Sequence, residues 1–132
     1  MFSKLKIFSL FCFVFTLSAC NQSIKPVQLY GEWKYIKVET PKNPVENMSA
    51  EDVALQNPSI RFTEGKDLVI IWGGERISHG KFRVEGKLIY YKENLAGGRT
   101  REFPFLVSKL TDKEIVFETM SEASTRVTAV RN

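Results

Sequence analysis

From residue 30 onward the chain carries short runs rich in Val, Ile, Phe, Tyr and Trp, each bounded by Gly, Asp, Asn or Lys. In several runs apolar and polar residues alternate. Gly80, Phe82 and Val84 share one parity against Lys81 and Arg83, and Phe103, Phe105 and Val107 share one against Glu102 and Ser108. A strand sends successive side chains to opposite faces, so a period of two marks strands with one buried face. The pattern predicts eight strands, near 31–39, 59–64, 67–72, 76–84, 87–93, 101–109, 114–120 and 124–131.

The connections are short: Glu64-Gly65-Lys66, Gly73-Gly74, Glu85-Gly86, Ala96-Gly97-Gly98 and Thr111-Asp112-Lys113. Glycine supplies the positive φ that tight hairpin loops need, and short turns make successive strands antiparallel neighbours. Eight such strands without a crossover helix predict an all-β, up-and-down antiparallel barrel, in which closure removes the exposed edges. An open meander or a sandwich is the alternative. Thr40 to Pro58 breaks the pattern with Pro41, Pro44 and Pro58, which suit no central strand. Within it, Ser49 as N-cap and Asp52 three residues on predict one short helix near 50–56. That helix is either a lid over a cavity mouth or a plug in one end of the barrel.

The start of the chain has a different character. A basic stretch containing Lys4 and Lys6 precedes an apolar run from Ile7 to Ala19, which has the length of a secretory signal and falls short of the ~20 residues that span a bilayer. The run ends at Leu17-Ser18-Ala19-Cys20, which resembles the lipobox of bacterial lipoproteins. That resemblance implies cleavage before Cys20 and acylation of its thiol, hence membrane attachment. An ordinary signal followed by an unpaired thiol is the alternative. Asn21 follows the cysteine, which by resemblance to enterobacterial sorting implies the outer membrane, facing the periplasm. The expected organisation is a signal peptide over 1–19, a polar lipidated tether over 20–28, and one domain over 29–132.

Removing nineteen residues from 132 leaves 113, one domain. Lys4 and Lys6 leave with the signal, so 19 basic residues become 17 against 15 acidic ones. A net charge near +2 gives no argument for nucleic acid. Cys12 also lies in the signal, so the mature domain is expected to hold no internal disulfide and no cysteine metal site.

The triplet Gly31-Glu32-Trp33 at the start of the first strand is similar to the Gly-x-Trp signature of lipocalins and the wider calycin group. The resemblance implies an eight-stranded barrel whose tryptophan closes the narrow end beneath an arginine of the last strand. Geometry makes the same demand: in a closed barrel the last strand ends beside the beginning of the first. Arg131 is therefore expected on Trp33, with Arg126 at the far end of that strand. Ile60-x-Phe62, Gly80-x-Phe82-x-Val84, Leu88-Ile89 and "SKLTDKEIVFE" complete a pattern that resembles lipocalin-like lipoproteins of Bacteroidetes. The resemblance implies a general capacity to bind small ligands.

The chain has no phosphate-binding loop, dinucleotide fingerprint, His-Glu-x-x-His or nucleophile-elbow motif. His79 is its only histidine and shares parity with Lys81 and Arg83, which places it on the outer wall. Glu51 and Asp52 complement a helix N-terminus. No enzyme, cofactor or metal is expected. Arg76, Lys81, Arg83, Lys87, Lys92, Arg99 and Arg101 are interleaved with acids, as on a solvated barrel exterior.

The aromatic side chains are the stronger lead: Phe62, Trp72, Phe82, Tyr90, Tyr91, Phe103, Phe105 and Phe117 come from different strands. Small barrels either fill with such side chains or hold one small ligand. The expected site is a shallow mouth pocket built from Trp72, Phe82, Tyr90 and Phe105, with Lys92 or Arg101 at its rim. Its ligand is expected to be a small hydrophobic or amphipathic molecule. The alternative is a protein-interaction module acting through the hairpin tips "WGGE" and "NLAGGRT".

Overall fold

The computed structural model describes residues 23–131; the signal segment 1–19 and Cys20 lie outside them. Eight strands form a closed barrel in which each pairs with its neighbour in sequence and the last pairs with the first. They are β1 (Gly31–Glu39), β2 (Ser59–Phe62), β3 (Asp67–Trp72), β4 (Glu75–Glu85), β5 (Leu88–Asn94), β6 (Thr100–Leu110), β7 (Glu114–Thr119) and β8 (Arg126–Val130). Every pairing is antiparallel. The up-and-down barrel expected from the alternation is the fold, and the open sheet and the sandwich are excluded.

Strand β1 shows why Gly-x-Trp sits where it does. Gly31 holds φ at +117°, a conformation that side-chain-bearing residues rarely adopt. Glu32 turns outward to pair with Arg61 at 2.9 Å, which holds its carboxyl below the usual range. Trp33 turns inward, is fully buried, and donates its indole N–H to the Leu29 carbonyl at 2.8 Å. The Arg131 guanidinium lies 3.9 Å above the Trp33 ring. Arg126, at the other end of β8, pairs instead with Glu118.

The strand directions define two ends. The closed end holds Trp33, the β2–β3, β4–β5 and β6–β7 turns, and a sealed core in which Phe62, Leu68, Ile89 and Ile115 are fully buried, each worth about 1.5–3 kcal/mol of burial. The open end holds the β3–β4, β5–β6 and β7–β8 turns and the long β1–β2 connection.

That connection contains α1 (Ala50–Gln56), as expected. Ser49 Oγ accepts from the Asp52 N–H at 3.1 Å, and Asn57 ends the helix in the left-handed region at φ 44°. Val53 is buried, Met48 packs on the core, and the Gly73 N–H donates to the Gln56 carbonyl at 2.8 Å. The helix is thus fastened both to β1 and to the β3–β4 turn.

Three expectations need correction. Residues 23–28 are not a free spacer. Ile24 is buried, its N–H donates to the Gly86 carbonyl at 2.8 Å, and Pro26–Gln28 forms a 3-10 turn leading to the fully buried Leu29. Isolated apolar residues in a polar stretch give no period, yet two of them dock this segment on the closed end. In the β2–β3 turn the positive φ belongs to Lys66 and not to Gly65. The strands expected at 59–64 and 124–131 are shorter, because Thr63 and Thr125 enter turns through hydrogen bonds with Asp67 and Thr119.

Candidate functional site

The upper part of the barrel interior is not purely apolar. On β5 the inward parity runs Ile89, Tyr91, Glu93, and on β4 it runs Ser78, Gly80, Phe82. Ser78 and Glu93 are both buried, each 8% exposed. The Ser78 hydroxyl donates to a Glu93 carboxylate oxygen. Its oxygen lies 2.5 Å from the Tyr91 hydroxyl. A serine has one hydroxyl proton, so Tyr91 must be the donor in that contact. The other Glu93 oxygen accepts from Arg101 Nε at 2.6 Å. The chain of donors therefore runs Tyr91 to Ser78 to Glu93, with Arg101 closing it from the mouth.

Close approach of β4 and β5 makes this alignment fit. A Cβ at Gly80 would lie 2.0 Å from the Lys92 carbonyl oxygen, so no larger residue can occupy that position without moving a strand.

Tyr35 faces this network from the opposite wall. Strands β1 and β5 stand half-way round the ring from each other. Burial raises the Tyr35 phenol well above the usual tyrosine range, and the nearby Tyr91 hydroxyl raises it further. The two side chains enter the bore from opposite walls. Tyr91 is also raised, chiefly by burial, with the Glu93 charge adding to it. Tyr35 packs edge-on against Trp72 and Phe117, with ring centres 6.4 and 6.1 Å apart. The residue is 9% exposed, and its hydroxyl hydrogen-bonds to none of the described residues. No fully enclosed side-chain N or O among those residues lacks a partner, so the Tyr35 hydroxyl keeps a small accessible area and meets open space.

The mouth is split in character. Ser78, Glu93 and Arg101 occupy its β4–β5–β6 side. Trp72, Val38 and Met48, all half-buried against the core, occupy the β1–β3 side. Phe103 lies between Arg101, 5.4 Å above its ring, and Tyr91, 5.4 Å away edge-on.

Of the residues expected to form a pocket, Trp72 and Arg101 stand at this mouth. Phe105 lies deeper, stacked 6.0 Å from Tyr91, and Phe82 packs 5.1 Å from Phe62 in the buried core. Tyr90 does not belong to the interior. It lies opposite Arg83, whose guanidinium stacks 4.0 Å above its ring on the outer wall. Lys92 has the same parity and is exposed on that wall, opposite Lys81 and Glu102.

The correct parity follows from the β4–β5 turn. With Gly86 and Lys87 as its two residues, Glu85 faces Leu88, and Phe82 then faces Tyr91. Tyr35, Ser78 and Glu93 were not anticipated, although Ser78 shares the parity of Gly80 and Phe82.

Three of the basic residues of the middle hairpins are paired, Lys81 with Asp67 at 2.6 Å, Arg83 with Glu85 and Glu102 at 3.0 and 3.2 Å, and Arg101 with Glu93 at 2.6 Å. The Lys81 pair holds the Asp67 carboxyl below its usual range. His79 is half-buried in a groove of about 280 Å³ that also includes Arg61, Arg76 and Lys81. A second groove of the same volume, including Ile24, Lys87 and Leu110, lies at the closed end. Among the described residues no group of three or more His, Cys, Asp or Glu could hold a metal ion, and no helix is long and apolar enough to cross a membrane.

No family model matches the chain, and no curated protein matches it significantly. The assignment of a site therefore stands on the geometry of the mouth.

Proposed function

We infer that this protein is an envelope lipoprotein of lipocalin-like kind, held by acylated Cys20, whose barrel mouth binds a small apolar or amphipathic molecule. One observation carries the binding role: polar side chains line the upper bore, and one of them, the Tyr35 hydroxyl, makes no hydrogen bond to the described residues and keeps a small accessible area. A few such polar groups in an otherwise apolar concavity are what orient a small ligand. The Arg131 clamp over Trp33 supports the lipocalin-like reading.

The docked N-terminal segment gives the tethered domain an orientation. Ile24 is packed at the closed end, and four residues of chain reach at most about 14 Å. An anchor at Cys20 therefore holds the closed end toward the lipid and turns the mouth away from it.

Two measurements test this function. Cys20→Ser is expected to move the protein out of the membrane fraction, and unchanged partitioning overturns the anchor. Native mass spectrometry of protein extracted from its own membranes is expected to show a co-purifying small molecule; a ligand-free spectrum counts against the binding role.

A second reading is favoured by the exposed apolar side chains of the open-end segments. Val45, Leu55 and Met120 are 89, 78 and 59% exposed, and a partner protein could cover them. The hairpin tip "WGGE" contributes little to that surface, because Trp72 turns inward against Tyr35.

A further inference from the structure

The outer wall of the barrel carries a groove that strand register builds. On β3, Val69 lies opposite His79 and Ile71 opposite Arg76. Residues directly opposite each other project from the same side of a sheet, and Val69 and Ile71 share one parity, so His79 and Arg76 share the outer face. Strict alternation along β4 would send them to opposite faces. The register shift between Ile70 and Ile71 resolves this: Ile77 is the extra residue of β4, and it is 59% exposed. Bulges of this kind re-aim a side chain and bend the strand that carries it. Arg61 of β2 lies opposite Val69 on the other side, and Lys81 and Asn94 complete a groove of about 280 Å³.

The groove is cationic. Arg61, Arg76 and Lys81 line it, with Asp67 as its one acid. Both Asp67 oxygens are engaged, one by Lys81 at 2.6 Å and the other by the Thr63 hydroxyl at 3.3 Å. Glu32, outside the groove, holds Arg61 at 2.9 Å. The side chains of these two ion pairs are between 40 and 64% exposed. Exposed pairs contribute little, so a multiply charged acceptor competes for both cations. Arg76 and the half-buried His79 hydrogen-bond to none of the described residues, and no acid among those residues pairs with Arg76.

We propose that this groove binds the phosphate group of a small molecule, a phosphate monoester held by Arg76 and by Arg61 and Lys81 drawn from their exposed partners. A monoester carries about −1.5 to −2 charge at neutral pH and three acceptor oxygens. Its tetrahedral oxygens suit cations that converge from two strands, whereas the two coplanar oxygens of a carboxylate suit one guanidinium fork. His79 and Asn94 supply hydrogen bonds to the body that bears the phosphate. The volume lies near the lower end for small-molecule sites, about 300 Å³, and leaves room for such a body. This site is separate from the mouth and does not rest on the role proposed for it.

The test is amide shift mapping of the ¹⁵N-labelled full chain in phosphatidylcholine nanodiscs, titrated with glucose 6-phosphate, glucuronate or glucose. Glucose 6-phosphate is expected to give saturable shifts at Val69, Arg76, His79 and Asn94, and glucose none. Glucuronate is expected to bind at least about threefold more weakly, for the lost oxygen and charge. Arg76→Gln removes an exposed cation and is expected to weaken glucose 6-phosphate about three- to tenfold, with Arg76→Lys intermediate. Lys113→Gln, at the closed end, is expected to change nothing. Nanodiscs containing phosphatidic acid distinguish the source of the phosphate. Displacement of glucose 6-phosphate there supports the groove as a site for a lipid headgroup, and undiminished binding supports it as a site for a soluble ester.

No saturable shift up to about 10 mM, equal binding of glucuronate, or unchanged affinity in Arg76→Gln overturns the proposal. Equal weakening in Lys113→Gln overturns it too, since the attraction would then belong to the net charge of the protein.

Discussion

Replacing Arg131 by alanine tests the closure of the barrel most sharply. The guanidinium lies 3.9 Å above the Trp33 ring and donates to three carbonyls: Tyr30 and Gln28 at 2.7 Å each, and Asp112 at 2.9 Å. The first two belong to the stretch that leads into β1 and the third to the β6–β7 turn, so one side chain ties the end of β8 to two segments distant from each other in sequence. Two of the bonds are exposed and one is part-buried, and solvent competition at such sites brings each below the range for buried charged donors, to about 2 kcal/mol for all three together. The stacked cation adds about 1 kcal/mol. Arg131→Ala is therefore expected to cost about 3 kcal/mol, lowering the urea midpoint by about 2 M for a slope near 1.5 kcal/mol/M. Arg131→Lys keeps the charge but loses the planar fork, and is expected to recover about 1 kcal/mol of that loss. The assay is urea unfolding followed by the emission of Trp33, fully buried beneath the guanidinium. A loss in Arg131→Ala below about 0.5 kcal/mol, the level of ordinary surface substitutions, would refute the reasoning.

Two further perturbations probe the walls of the bore. Gly80→Ala places a Cβ 2.0 Å from the Lys92 carbonyl oxygen, so it is expected to destabilise by at least about 1–3 kcal/mol; a melting temperature within error of the parent contradicts the close approach of β4 and β5. Tyr35 and Tyr91 both have raised folded-state pKa values, so their stabilisation is complete below the unfolded tyrosine value, near 10, and is lost as pH rises above it. Each buried phenol contributes a slope of about −1.4 kcal/mol per pH unit there, and urea midpoints between pH 8 and 11 should flatten by that amount in Tyr35→Phe. An unchanged slope means that Tyr35 ionises in the folded state.

How far the sequence carried depends on what kind of residue was being read. Alternation on β4 and β6 gave the strands and hence the barrel, and Ser49 with Asp52 gave the helix start, because each signal is local. The Arg131–Trp33 stack was legible for a topological reason, as closure brings the end of β8 to the start of β1. The mouth was harder. Tyr90 and Tyr91 are adjacent, so composition cannot choose between them, and only the two-residue β4–β5 turn puts Tyr91 inside. Glu93 is not legible as an interior residue, because a carboxylate at an inward position contradicts the apolar rule and its partners Ser78 and Arg101 lie on two other strands. Bulges also shift parity. The one between Tyr35 and Lys37 leaves Ile36 exposed and returns Val38 to the interior. Ile24 falls inside the expected tether over 20–28 because one isolated apolar residue carries no periodicity.

The claim on which the functional account turns is that the mouth, and no other surface, receives the apolar or amphipathic ligand. Amide shift mapping of the ¹⁵N-labelled full chain in nanodiscs, titrated with 1-octanol, tests it directly. The account predicts perturbations centred on Tyr35, Trp72, Ser78, Tyr91, Glu93 and Arg101, with the closed end around Ile24, Trp33 and Arg131 unmoved. Shifts confined to the outer groove at His79 and Lys81, or to the closed end, would contradict it.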